Sequence, residues 1–559
     1  MGLRASVPPR RAAVVLFVVA TALSLTINRA IAQASASAAV AHASLASVPR
    51  QTPADLAPSD RAPADAPPAT LGAPRVLLMG DSVMDQQGSA AAFLLRQAGI
   101  DAKAIGLWGS GLLTVDQYDE GVTKPSGLWL ARAQREITHF DPNVVGVYLN
   151  HNYWPPYPRD EAGRPITDLW SRAGQRMIAR QVRALITILR ARGARVFFVS
   201  PIPAGIIRNP DPDAWNPIWH GYLPVLRALH VPIADTARPL EGADGLRVET
   251  KPACDGTEHR VRPPSDLHLT RLGAGRAGTP LAEFAATLVH ANLRDNAAPG
   301  DRAAALVPTR DRRGYWLIGC DGSVYHFGTA LPLPGARTVL AGHGGVVGGV
   351  ATPSEAGLWL VAADGTIVPV GGAPALALSE RPDAPITAVS GAPNQAGLWA
   401  TTAAGRVFTA GTAPFFGDAA HGAGVVGIAA TPDGQGYWLA NAGGRVSAFG
   451  DAPAVTSSAP GYAPVVGIAA SPDGRGYWLA SADGNVQTAG DAPVRGSAEW
   501  IPPPSPYNVV NAAPGPAAGI VAAPGDGAGY WVFDTTGRVV ARGAARHLGG
   551  DSNLALFTQ

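Results

Sequence analysis

Cysteine is nearly missing from this chain of 559 residues: Cys254 and Cys320 are its whole complement. A disulfide framework or a multi-cysteine zinc site needs more thiols than that, so both are excluded and one bridge is the maximum. The two cysteines fall in different candidate domains and are read as free thiols. Charge is also scarce, at 15% of residues against roughly 25% in ordinary globular proteins. The 44 basic and 42 acidic side chains nearly cancel, which leaves no positive field to draw the chain to nucleic acid. No nucleic-acid partner is expected. What the chain has in abundance is Gly and Pro, 66 and 51 residues, so turns should be frequent.

The N-terminus has the layout of an export signal. Arg4, Arg10 and Arg11 form a basic start, Ala12 to Ile27 are 16 uncharged and mostly apolar residues, and Ala30-Ile31-Ala32 and Ala32-Gln33-Ala34 have A-x-A spacing. Sixteen residues fall short of the ~20 that span a bilayer comfortably. Residues 1–35 are therefore expected to be a signal peptide or a signal anchor. The protein should be secreted or associated with the cell envelope, with membrane contact only through an uncleaved N-terminal anchor. Residues 36–73, rich in Ala, Pro and Ser, have almost no large apolar side chains and read as a disordered linker.

From Arg75 the texture changes. RVLLMGDSVM is a short apolar run that ends in a small-residue turn and enters a helical stretch, and the alternation continues through NVVGVYLN, ARVFFVSPIP and VPIADT. Buried β-rich runs separated by helical crossovers imply a three-layer α/β/α domain with a parallel sheet over residues 74–295. Chemistry in such a fold sits beyond the carboxyl ends of the strands. Four segments fall there: Gly80-Asp81-Ser82, Trp108-Gly109-Ser110-Gly111, Asn150-His151-Asn152-Tyr153-Trp154, and Pro264-Ser265-Asp266-Leu267-His268. A serine on a tight turn, an imidazole to take its proton and amide donors for an oxyanion are the parts of nucleophilic acyl transfer. No G-x-S-x-G elbow occurs in the chain, which argues against the α/β-hydrolase fold. Asp81 reads as a turn residue, and Asp211 and Asp213 lack the further spaced oxygens of a cation loop.

These four segments resemble the blocks of the SGNH or GDSL-type hydrolases over about residues 74–295. The resemblance implies Ser82 as nucleophile, His268 as base, and an oxyanion hole from Ser82, Gly111 and Asn152, with Gly109 a rival to Gly111. It also implies ester-bond chemistry with no cofactor and no metal. The family's acid stands three residues before the histidine. Here that position is Ser265 and the carboxylate is Asp266, so either Asp266 completes a triad or a Ser–His dyad operates. Tyr153 and Trp154 are expected to wall the substrate cleft.

From Gly314 the sequence repeats: GYWLIGCDGSV, GLWLVAADGTI, GLWATTAAGRV, GYWLANAGGRV, GYWLASADGNV and GYWVFDTTGRV. Short antiparallel strands around D-G or G-G turns, at a period of ~40 residues without a helical pattern, predict an all-β propeller over 296–559, with six blades. The array resembles GYW-type repeats of secreted actinobacterial proteins, which implies envelope association. The recurring tryptophans are read as packing between blades rather than sugar platforms.

The whole reads as an exported serine esterase that removes an O-acyl group, acetyl in the favoured version, from a carbohydrate or cell-envelope polymer. The propeller would localise it, with cell-wall polysaccharide as partner. An O-acyltransferase using the same serine and histidine, and a non-catalytic surface binding or adhesion protein, are the alternatives.

Overall fold

The computed structural model describes residues 72–550 apart from 108–109, 114–116, 120–121, 125–127, 151–156, 158, 161, 204–208, 210, 264–267, 394, 421–423, 457–462, 499–514 and 526–528. The export segment expected at 1–35 and nearly all of the linker at 36–73 lie outside the described residues. Among the described residues no helix is long and apolar enough to cross a membrane.

The first half of the described chain alternates strands and helices. It runs β1 (Arg75–Gly80), α1 (Ser82–Gln97), β2 (Asp101–Gly106), a hairpin of β3 (Gln117–Asp119) and β4 (Val122–Lys124), α2 (Leu128–His139) and β5 (Val144–Tyr148). It continues through α3 (Arg172–Arg190), β6 (Arg195–Val199), α4 (Pro217–Ala228), β7 (Ile233–Ala234), a hairpin of β8 (Thr250–Pro252) and β9 (Glu258–Arg260), and α5 (Arg271–Leu288). Five strands form one parallel sheet in the order β2-β1-β5-β6-β7. Alternate residues of β1 face opposite layers. Val76 and Leu78 pack with α1 and α5, whereas Leu77 and Met79 pack with α2, α3 and α4. Burial on both faces is why these strands read as unbroken apolar runs.

The second half is a series of small antiparallel sheets. Six of them, each of three strands, have first strands at Ala303–Pro308, Val346–Ala351, Ile386–Gly391, Val425–Ala430, Val465–Ala470 and Ala517–Ala522. Each first strand carries a register shift near its start, the mark of a β-bulge. First strands of successive sheets adjoin, and that of the sixth adjoins that of the first. The repeat tryptophans 316, 359, 399, 438, 478 and 531 are fully buried. Each donates its indole N–H to a carbonyl 15 residues further on, at 2.7–2.9 Å. Four also pack on the tyrosine of the next repeat, and in that series Trp531 meets Tyr315 of the first repeat with ring centroids 5.7 Å apart. The buried N–H thus has its acceptor and the ring joins two sheets, which explains one tryptophan per repeat at a fixed position.

The α/β part and the first sheet are joined by specific contacts. Phe93 of α1 meets Tyr325 edge-on at 5.3 Å. The Gln97 amide accepts from the His326 N–H at 2.8 Å and donates to its carbonyl at 3.2 Å. The amide of Val324 donates to Asn296 Oδ1 at 2.7 Å. The reading of two free thiols is corrected here: Cys254, between β8 and β9, is disulfide-bonded to Cys320 of the first sheet, with their Cα atoms 5.8 Å apart. Assignment to different domains implied separation in space, but the β8–β9 hairpin lies against the first repeat. A bridge across 66 residues removes about 4 kcal/mol of loop entropy from the unfolded chain.

His326 sits at this junction. Burial, and then the charge of Arg294, lowers its pKa to about 4. The unfolded imidazole takes up a proton below about 6.5 while the folded one resists until about 4. Stability from this group is therefore complete above the unfolded value and is lost as pH falls towards the folded one, by about 3 kcal/mol at most. Urea unfolding of wild type and His326→Gln at pH 7 and pH 4.5 should give a smaller acid loss for the variant; equal losses would remove His326 from the account.

Candidate active site

The turn after β1 is built by close approach. A Cβ on Gly80 would stand 2.1 Å from the Tyr148 carbonyl oxygen of β5, and one on Gly106 would stand 2.1 Å from the Asp85 Cβ of α1. Only residues without side chains let the ends of β1, β5 and β2 crowd against the start of α1. Asp81 then caps that helix: its backbone is extended and its Oδ1 accepts from the Val83 N–H at 3.0 Å. Ser82 is consequently the first helical residue. Its own N–H has no acceptor among the described residues, and it lies at the positive end of the helix dipole.

His268 stands just ahead of α5, whose first turn is capped by Thr270 accepting from Gly273 N–H. Its Nε2 lies 2.8 Å from Ser82 Oγ. Two residues 186 positions apart thus share a hydrogen bond, with Ser82 only 5% exposed. This geometry lets the imidazole accept the hydroxyl proton as the oxygen attacks an electrophile.

Of the other residues expected at the site, Gly111 lies buried in the turn that leaves β2. That turn begins at Leu107, whose N–H donates to the Gly80 carbonyl at 3.0 Å. It is braced by Ser110, which donates to the Leu107 carbonyl at 2.6 Å and accepts from the Trp129 indole at 3.0 Å. Asn152, Tyr153, Trp154 and Asp266, like Gly109 and Ser265, lie outside the described residues. Asp81 acts as a helix cap, Asp211 caps the short helix Pro212–Trp215, and Asp213 is engaged by His220.

Three supporting residues escaped the reading of the sequence. Gln86, one helical turn after Ser82, is buried and accepts the Leu269 N–H at 2.7 Å, which fastens the histidine segment to the helix that carries the serine. Its spacing from Ser82 was the available signal. Asn150 donates to the Val199 carbonyl at 3.0 Å and so ties β5 to β6. Arg262, six residues before His268, is fully buried and donates from Nη1 to the Pro203 carbonyl at 2.8 Å, while Nε and Nη2 have no acceptor among the described residues. Burial, reinforced by Arg247, lowers its pKa to about 10, and Tyr148 and Glu241 oppose that shift. Tyr148 is in turn pushed well up by burial and by Asp81, and its hydroxyl accepts from Ile202 N–H at 3.1 Å.

No protein-family profile matches the chain, and no curated protein matches it either. Among solved structures it is similar to a GDSL-like lipase from Bacteroides thetaiotaomicron, at 12% identity and a TM-score of 0.24, over 39% of this chain and 87% of that one. It is also similar to a protein named as an acylhydrolase from Bacteroides fragilis, at 13% identity and a TM-score of 0.25, over 40% of this chain and 93% of that one.

Replacing Gln86 by Ala removes the 2.7 Å hydrogen bond that Leu269 N–H donates to it, which should cost about 1 kcal/mol in urea unfolding. The His268 imidazole resonances should also move towards those of a Ser82→Ala variant. Unchanged stability together with unchanged resonances would show that Gln86 does not hold the pair.

Proposed function

We propose that this protein is an exported serine esterase of the SGNH or GDSL type that removes an O-acyl group, acetyl in the version we favour, from a carbohydrate or cell-envelope polymer. The observation that carries the reading is the 2.8 Å contact between Ser82 Oγ and His268 Nε2 at the carboxyl ends of a parallel sheet. His268 takes the hydroxyl proton as Ser82 Oγ attacks the acyl carbonyl, then returns it to the departing alcohol. Water, deprotonated by the same imidazole, releases the acid from the acyl-serine. The Ser82 N–H, on the dipole end of α1, receives the oxyanion, with Gly111 and Asn152 assigned to the same task through the family resemblance. Asp266 is assigned as the acid that orients His268. No cofactor enters these steps.

We read the six repeat sheets as blades of a closed propeller that localises the enzyme on wall or polysaccharide. The adjacency of the sixth sheet to the first and the Trp531–Tyr315 contact support closure. The Cys254–Cys320 bridge supports export, because such bonds persist in oxidising compartments.

Purified wild type should hydrolyse 4-nitrophenyl acetate, and Ser82→Ala should lose at least about a thousandfold in kcat, the order seen when a nucleophile is removed, while keeping its circular dichroism spectrum and melting temperature. Turnover retained by the alanine variant would end the esterase assignment.

A further inference from the structure

The catalytic edge of the sheet also carries an exposed pair of rings that the Ser82–His268 chemistry does not use. Trp170, immediately before α3, keeps 47% of its surface exposed although it is the largest apolar side chain type. Its ring centroid lies 5.2 Å from that of His220 on α4, at an interplanar angle of 50°. His220 is itself oriented: its Nδ1 stands 2.7 Å from Asp213 Oδ1, which makes Nδ1–H the donor to the carboxylate and leaves Nε2 outside that bond. Asp213 Oδ2 and His220 Nε2 have no partner among the described residues.

This pair is held firmly. The Trp170 N–H donates to Asp168 Oδ1 at 2.9 Å. One amide, Gln175 Nε2, donates to both the Leu169 carbonyl at 2.7 Å and the Pro217 carbonyl at 3.0 Å, and so ties the turn of Trp170 to the start of α4. The cap of α4, Asn216, donates to the Asn150 carbonyl at 2.9 Å, two residues before Asn152. The start of α3 follows β5 and the start of α4 follows β6, whereas Ser82 follows β1, the neighbour of β5. All three therefore open on one edge of the sheet.

We propose that Trp170, His220 and Asp213 form a sugar subsite of the esterase, which receives a pyranose ring of the acylated glycan at a distance from the scissile ester. The proposal rests on the esterase reading. An exposed indole offers a flat apolar face to the C–H face of a pyranose, and the unpartnered carboxylate oxygen and imidazole nitrogen of the Asp213–His220 pair match hydroxyl groups at the ring's rim. A protein-docking patch would extend over further apolar side chains. A rigid ring pair with hydrogen-bonding groups at one edge fits a small polar ring with one apolar face.

The test compares a substrate too small to reach the subsite with ones that span it. Kinetics of the full-length protein are measured on 4-nitrophenyl acetate and on O-acetylated xylotetraose, cellotetraose and chitotetraose. Trp170→Ala should raise KM about tenfold for the tetrasaccharide esters that the wild type accepts, as loss of one stacked ring implies, and leave kcat/KM for 4-nitrophenyl acetate within about twofold. Trp170→Phe should restore most of the loss. Equal effects on both substrate classes, no effect on either, or a wild type that cleaves nitrophenyl acetate through Ser82 but none of the tetrasaccharide esters would overturn the subsite. A wild type without Ser82-dependent nitrophenyl acetate hydrolysis would overturn the esterase reading itself, which is a separable failure.

Discussion

A side chain at residue 80 would put its first carbon 2.1 Å from the Tyr148 carbonyl oxygen, and the rest of the site depends on that exclusion. Because Gly80 permits β1 to end hard against β5, Asp81 can turn the chain and cap α1, and Ser82 falls at the first helical position with its hydroxyl 2.8 Å from His268. The same crowding keeps the serine largely out of water. The hydroxyl, the amide beside it and the imidazole then meet where a helix dipole favours developing negative charge.

Support for this turn comes from both layers of the sheet. On one side Gln86 binds the segment of His268 to α1, and Phe93 and Gln97 of the same helix carry contacts to the first repeat sheet. On the other, Asn150 and Asn216 link β5, β6 and α4, and lead to the exposed Trp170 and His220. Helix α1 thus both carries Ser82 and splices the sheet to the repeats. The disulfide from Cys254 to Cys320 closes the same junction covalently.

What could be read from the residues follows from how local each signal is. That Ser82 and His268 meet could be anticipated because each stands in a short recognisable block, and the repeats were legible because Gly-Tyr-Trp or Gly-Leu-Trp recurs, with four of the five intervals near 40 residues. The tryptophans' role follows from the same period, since the acceptor of each indole lies 15 residues on in every copy. The cysteine pair was misread because only the docking of the β8–β9 hairpin on the first sheet brings together thiols 66 residues apart. Neither Gln86 nor Arg262 was singled out, because polar side chains carry no local mark of burial and both are buried only by the packing of distant elements. The Trp170–His220 pair spans 50 positions and two helices, so no window of sequence contains it. The spacing of Asp266 departs by one residue from the family's acid, so the sequence by itself allowed a triad or a Ser–His dyad.

The central claim is that Ser82 is a nucleophile activated by His268. The most direct measurement is covalent capture: the full-length protein is treated with a fluorophosphonate and its peptides are mapped by mass spectrometry, with wild type, Ser82→Ala and His268→Ala in parallel. One adduct per chain, on Ser82 and greatly slowed in the histidine variant, is the predicted result. Absence of an adduct on properly folded wild type, or an adduct that persists in Ser82→Ala, would contradict it.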